Sequence, residues 1–492
     1  MKQHLRPIMF VGTCSDAGKS VINAAFCRIF KQDGYQPAPF KAQNMSLNSY
    51  STPEGGEMGR AQVVQAEACG ISPHTDMNPI LLKPTNDKSS QVVLNGKPVG
   101  NMSAKDYFGI QNQKEELFKE AIEAFNRLEA RYNPIVLEGA GSISELNLRD
   151  RDITNMRMAM KAGASTYLIA DIDRGGVFGS VYGTIALLRP EERALMKGVI
   201  INKFRGDASL FEEGRNLLKE LTGIPVVGVI PWFRDIKIEE EDSVALDMKN
   251  NTYKDGKINV AIILLKRMSN FTDFDVLEMD PRFNPYYTNN IDEIEKADII
   301  LLPGSKNTLS DLQSLRANGI AMAIIRAHKA GKKVIGICGG YQMMGVRLED
   351  PESIEGNIPA IPGLGLLPQC TVIEQEKITR QSDFAFLPSS ENKDCKGYEI
   401  HMGRTTLLGD APEQPVARLE DGYYLNNRCW GSYMHGILDN PAVLDNLAEG
   451  FDTETTTGPF DYTAFKEEQY DKLAALVREH VDMEYIYNSI KN

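Results

Sequence analysis

The 492-residue chain reads as an α/β protein built from two doubly wound, mostly parallel sheets. Two patterns predict this. Short β-branched runs alternate with helical stretches through the first half, and a second series of the same kind begins near residue 258. Between the two, DIKIEEEDSVALDMKNNTYKDG (235–256) is acidic and then polar, with no sustained apolar face, as a link between domains is.

In chain order, residues 8–11 form a short buried strand, and 21–30 a helix with few polar positions, closed by Asp33-Gly34. Further strands are expected at 135–137, 167–170, 199–201 and 226–230, each a β-branched run bounded by Gly, Pro or charge. A helix over 114–131 precedes the first of them. The second series supplies strands at 260–265, 299–302 and 334–337, and residues 464–487 read as a terminal helix. A chain this long exceeds one hydrophobic core. The expected division is 1–235, a linker at 236–256, 257–445, and a helical extension at 446–492.

Composition narrows the setting. The apolar share is 42% and the charged share 25%, ordinary for a globular protein. The net charge of −13 repels nucleic acid and anionic lipid, and no Lys/Arg run overrides it. The seven cysteines are scattered and odd in number, with no CxxC pair, so neither a disulfide framework nor a zinc site is expected. They suit a reducing cytosol. The apolar run at 8–11 is too short for a signal peptide, and nothing approaches membrane-span length. A cytoplasmic location is expected.

The first chemical signal runs from Phe10 to Ser20 and ends in Gly18-Lys19-Ser20. It leaves a strand and enters a helix. Consecutive backbone N–H groups at such a helix start cradle phosphate, Lys19 adds a mobile charge, and Ser20 offers a hydroxyl to Mg²⁺. Thr13 stands where such loops usually begin with glycine, and Gly12 sits one place earlier. Asp16 is either a second carboxylate beside the metal or a helix-capping partner. GTCSDAGKS resembles the loop of the dethiobiotin synthetase-like family, whose members activate a carboxylate or carbamate with ATP. That resemblance implies that Glu138, in VLEGAGS, helps hold Mg²⁺, and that Asn202, after the strand at 199–201, lies near the nucleotide base.

The second signal is Gly336-Ile-Cys338-Gly339-Gly340, between a strand and a helix. A nucleophile on a strained elbow needs such small neighbours. The helix start behind it favours a thiolate, and the Gly339 N–H can bind an oxyanion. His435, in SYMHGI, is the candidate base for Cys338 in attack on an amide. These residues resemble the class I glutamine amidotransferase domain, over about 258–439. The resemblance implies that Gly304, in PGSK, supplies the other oxyanion donor. Many such domains carry Glu two residues after the histidine; here that position is Ile437, so a Cys–His dyad is expected. Glu399 and His401, in GYEIHMG, either line the site or support it by hydrogen bonds.

A carboxylate-activating loop fused to a glutaminase implies amide synthesis through an acyl phosphate. The blocks PFKAQNMSLNS (39–49), GGEMGRAQVVQAE (55–67), NPILLKP (78–84) and DIDRGGVF (171–178) resemble cobyric acid synthases over nearly the whole chain. That resemblance implies amidation of the b, d, e and g carboxylates of adenosylcobyrinic acid a,c-diamide, with glutamine as nitrogen donor and ATP and Mg²⁺ required. Lys41, Gln43 and Asn44 are the expected substrate contacts, and Arg60 and Arg174 further candidates for orienting a carboxylate. The rival readings are another glutamine-dependent amidase, such as cobyrinic acid a,c-diamide synthase, and a P-loop ATPase switch with a degenerate amidotransferase domain. The partners implied are small molecules, with no nucleic acid and no membrane.

Overall fold

A computed structural model describes residues 3–86, 89–103, 111–239, 252–388, 394–409, 411–412, 416, 421–452 and 460–491. Most of the expected linker, 240–251, lies outside the described residues.

Six strands form the first sheet, in the order Val226–Pro231, Met196–Phe204, Ser165–Asp171, Ile8–Gly12, Ile135–Glu138, Ala38–Phe40. Every pairing is parallel. The five strands expected in this half all fall within it. Ile8–Gly12 lies in the middle and is buried throughout, as a run of apolar residues covered on both faces must be. Its register sets Phe10 opposite Glu138. The turn after Gly12 and the Glu138 carboxylate therefore leave the sheet at the same C-terminal edge, where ligands of such sheets bind.

Helix Lys19–Gln32 covers one face, with Phe26, Ile29 and Phe30 buried. The chain's end returns to this half. Leu473, Ala474 and Val477 of helix Tyr462–His480 share a core with those phenylalanines, and Arg28 ties the two helices through Asp471 at 2.7 Å and Glu467 at 2.9 Å. One terminal helix was expected; the structure has two, the second being Met483–Ile490. The break has a tertiary cause. Val481 bridges to Gly228, the Asp482 N–H donates to the Val227 carbonyl at 2.8 Å, and the Asp482 carboxylate caps the next helix at Tyr485 N.

The second main sheet runs Phe283–Thr288, Ile258–Ile263, Ile299–Leu302, Lys333–Ile337, Cys429–Ser432, Tyr423–Asn426. It is parallel except for the last pairing. Two further assemblies go beyond the expected architecture. Gln43–Met45, Ile80–Asn86, Ser89–Leu94 and Lys97–Ser103 form a four-stranded sheet in the first half. Gln369–Ala385 and Asp394–Leu407 form a long hairpin in the second. Its second strand pairs with Met434–His435. The hairpin lies against the first half, where Gln381 donates to the Ser51 carbonyl at 2.9 Å. No helix among the described residues is long and apolar enough to cross a membrane.

Candidate active sites

The phosphate loop closes tightly on itself. A Cβ on Gly12 would lie 2.7 Å from the Cys14 carbonyl oxygen and 2.9 Å from Lys19 Nζ, so the glycine is required at position 12 and Thr13 is tolerated next to it. Gly18 takes φ +92°, a conformation glycine adopts without strain, and starts the helix. Asn202 lies over it, donating to the Ala17 carbonyl at 2.9 Å, and buttresses the turn. Lys19 is buried and its ammonium donates to the carbonyls of Cys14 and Ser15 at 2.9 Å and of Gly141 at 3.0 Å.

Glu138 is the hub of this site. Its carboxylate, 1% exposed, accepts from Ser20 Oγ at 2.8 Å, Lys41 Nζ at 2.8 Å and Gln65 Nε2 at 2.6 Å. Ser20 and Glu138 thus bring two hard oxygens together of the kind that Mg²⁺ takes. Asp16 does not join them. Its carboxylate is half exposed and engaged by Arg174, from the loop after Ser165–Asp171.

The three expected substrate contacts separate. Lys41 is an ion-pair partner of Glu138 inside the phosphate site. Asn44 is buried and donates to Gln62 at 3.0 Å. Gln43 lines a cavity of about 460 Å³ that it shares with Gly141, Ser142, Arg149 and Arg157. Because the Gly141 carbonyl also accepts from Lys19, this cavity adjoins the phosphate loop. Arg60 is no carboxylate clamp for a ligand: it is buried in a bidentate pair with Glu239, at 2.6 and 2.9 Å.

The thiol site is assembled from distant segments. Cys338 ends strand Lys333–Ile337 at φ 51°, ψ −109°, a strained backbone that lifts the sulfur off the sheet. Packing enforces the small neighbours: a Cβ on Gly336 would lie 2.6 Å from Tyr341 N, and one on Gly339 2.7 Å from Ser305 N. A Cβ on Gly304 would lie 3.3 Å from His435 Cε1. Gly304 and His435 therefore lie against the Cys338–Gly339 turn.

The expected dyad is corrected to a triad. His435 Nδ1 lies 2.7 Å from Asp273 Oδ2, and the Gly436 N–H donates to the other carboxylate oxygen at 2.9 Å. A carboxylate there orients the ring, with Nδ1–H donating to it and Nε2 turned to the sulfur. Burial opposes a charged ring, yet Asp273 and the Cys338 sulfur hold His435 up at about 10. Asp273 lies in the turn Phe271–Phe274, 162 residues before the histidine. Ile437 is simply buried core. Tyr398 stacks on the His435 ring with centroids 5.4 Å apart.

A cavity of about 420 Å³ opens onto Cys338 and His435, with His401 in its wall. Glu399 stands behind His401 at 3.3 Å and takes Arg380 at 2.7 Å. His401 also lies 2.9 Å from the Gly403 carbonyl and stacks on Tyr433 at 3.7 Å. Of the pair, His401 lines the site and Glu399 supports it.

Residues 8–245 match the CobQ/CobB/MinD/ParA nucleotide binding domain, and 259–443 the CobB/CobQ-like glutamine amidotransferase domain. A cobyric acid synthase of Parabacteroides distasonis is 98% identical, with 100% of each chain covered. One of Bacteroides fragilis is 62% identical with 99% of each covered, and one of Syntrophobacter fumaroxidans 46% identical with 98% of each covered. The chain belongs to the cobyric acid synthase family.

Proposed function

We propose that this chain amidates the b, d, e and g carboxylates of adenosylcobyrinic acid a,c-diamide, using ATP to activate each carboxylate and glutamine to supply ammonia. The observation that carries this reading is the presence in one chain of two built sites, Lys19–Ser20–Glu138 and Cys338–His435–Asp273. A P-loop switch with a degenerate amidotransferase domain needs only the first.

In the first half, about 1–235, the loop at Gly12–Ser20 holds the nucleotide phosphates. Ser20 and Glu138 would hold Mg²⁺, which would neutralise phosphate charge. Lys41 lies on Glu138 and so beside the phosphate that leaves ATP. The acceptor carboxylate enters along Gln43 from the cavity next to Gly141. It takes the phosphoryl group, and ammonia displaces phosphate from the acyl phosphate.

In the second half, about 257–445, His435 Nε2 carries the Cys338 proton as an imidazolium, and the thiolate attacks the side-chain amide carbon of glutamine. The N–H groups of Gly304 and Gly339 face the developing oxyanion; a donor of this kind is worth about 10²–10³ in rate. His435 returns the proton to the departing ammonia, and water then frees glutamate from the thioester. We also propose a cytosolic setting, in keeping with seven free thiols.

The test is mass spectrometry of the corrinoid after incubation with adenosylcobyrinic acid a,c-diamide, Mg-ATP and amide-¹⁵N glutamine. Four successive labelled amides are expected. An unchanged corrinoid, with glutamine still hydrolysed, would contradict the acceptor and point to another carboxylate.

A further inference from the structure

Both halves of the chain build the wall of the glutamine cavity. Cys338, Lys306 and Lys377 come from the second half, Lys83 and Gln91 from the four-stranded sheet of the first. The cations in this wall are unevenly paired. Glu57, 1% exposed, takes Lys83 on one oxygen at 2.6 Å and Lys377 on the other. Burial would raise that carboxyl, but the two lysines hold it far below the ordinary carboxylate range. One carboxylate thus serves two ammonium groups.

Lys306 follows directly on the Gly304–Ser305 strand, so the chain that aims an N–H at the oxyanion also fixes this lysine. Its hydrogen-bond partner among the described residues is neutral: the Gln91 amide oxygen, 3.1 Å away and on the opposite half. Burial, with Lys377 and Lys83 nearby, works against its charge and outweighs the pull of Glu355 and Glu57. Glu355, the other acid in the wall, already caps helix Thr308–Ala317 through Thr308 N at 2.6 Å and Leu309 N at 3.3 Å. Three lysines therefore stand in this wall, and Lys306 is the one with no carboxylate within hydrogen-bond distance among the described residues. A desolvated cation held by a neutral amide gains most from an incoming anion. A glutamine whose side-chain amide meets Cys338 carries its α-carboxylate at the far end.

We propose that Lys306, presented across the interface by Gln91, is the residue that recognises the α-carboxylate of glutamine, so that the first half completes the glutamine pocket of the second. This rests on the glutaminase reading of Cys338.

The experiment measures ammonia release by the full chain, with corrinoid and Mg-ATP present, from glutamine and from glutaminamide, whose α-carboxyl is a neutral amide. Wild type is expected to favour glutamine in kcat/KM by about 10–100-fold, the worth of a hydrogen bond to a charged group. Lys306→Met should bring that preference to within about threefold, and Gln91→Leu should reduce it part of the way. Both substrates are read on one preparation, so any unfolded fraction cancels in the ratio. A preference retained in Lys306→Met overturns the inference alone. No ammonia from either substrate in wild type overturns it together with the glutaminase reading.

Discussion

At the phosphate site the key cation is turned inward. Lys19 spends its donors on three backbone carbonyls, two of them from its own loop, and must give these up to reach a phosphate. At the thiol site the parts already stand in working order. Cys338 is raised on its strained elbow, His435 is aligned by Asp273, and Gly304 and Gly339 meet beside them. The contrast follows from what each site holds. A loop that must receive several negative charges keeps its lysine neutralised by dipoles until they arrive. A thiol–imidazole pair needs no ligand to be stable, because the Asp273 carboxylate compensates its charge. The first site is completed by its ligand; the second is preorganised.

That contrast can be broken first at Lys19. Lys19→Ala should lower amide formation about 10³-fold from glutamine and from free ammonia alike, since charge stabilisation of phosphoryl transfer serves both. Corrinoid amidation with ammonium chloride is the assay, and undiminished turnover there would remove the loop from its role. Next in size is Asp273→Asn, which misaligns the histidine. It should cost about 10²-fold in glutamine-driven turnover, less than the roughly 10⁴-fold of a serine triad because a thiol is intrinsically the stronger nucleophile, and leave ammonia-driven turnover intact.

The same residue gives a pH effect. His435 is held at about 10 in the folded chain, against about 6.5 for an unfolded histidine. Folding therefore gains from this proton in full below about pH 6.5 and loses the gain as pH rises through about 10. Across that window the melting temperature of wild type should fall further than that of Asp273→Asn; parallel curves would show that Asp273 does not sustain the charge. The smallest effect belongs to Asp16. Its exposed pair with Arg174 is worth at most about 1 kcal/mol, so Asp16→Asn should change kcat by less than about fivefold. A loss as large as that of Glu138→Gln would restore Asp16 to the metal.

The difference between the sites also explains what the sequence revealed. The phosphate loop is local: strand, glycine turn, Lys19-Ser20 and helix follow one another within Ile8–Gln32, and periodicity alone exposes them. Cys338 was legible for a like reason, following a short apolar strand beside glycines, and Glu138 through the family resemblance of the block that ends its strand. Asp273 was not. It sits in a one-turn segment among aromatics, and only tertiary packing brings it to His435. The usual place for that carboxylate holds Ile437, which pointed to a dyad. Arg60 misled for the opposite reason: an arginine in a polar block suggests a ligand, but its partner Glu239 lies 179 residues away. The long hairpin, rich in charged residues, carried too weak an alternation to be read alone, yet it bears Lys377 and His401 into the cavity.

Ammonia made at the thiol site is consumed at the phosphate site. The most direct measurement compares Cys338→Ala with wild type in corrinoid amidation, once with glutamine and once with ammonium chloride. The account predicts that glutamine-driven amidation becomes undetectable while ammonia-driven amidation stays within about twofold of wild type, since the residual power of a thiol site without its nucleophile is small. Equal loss with both nitrogen sources would contradict it.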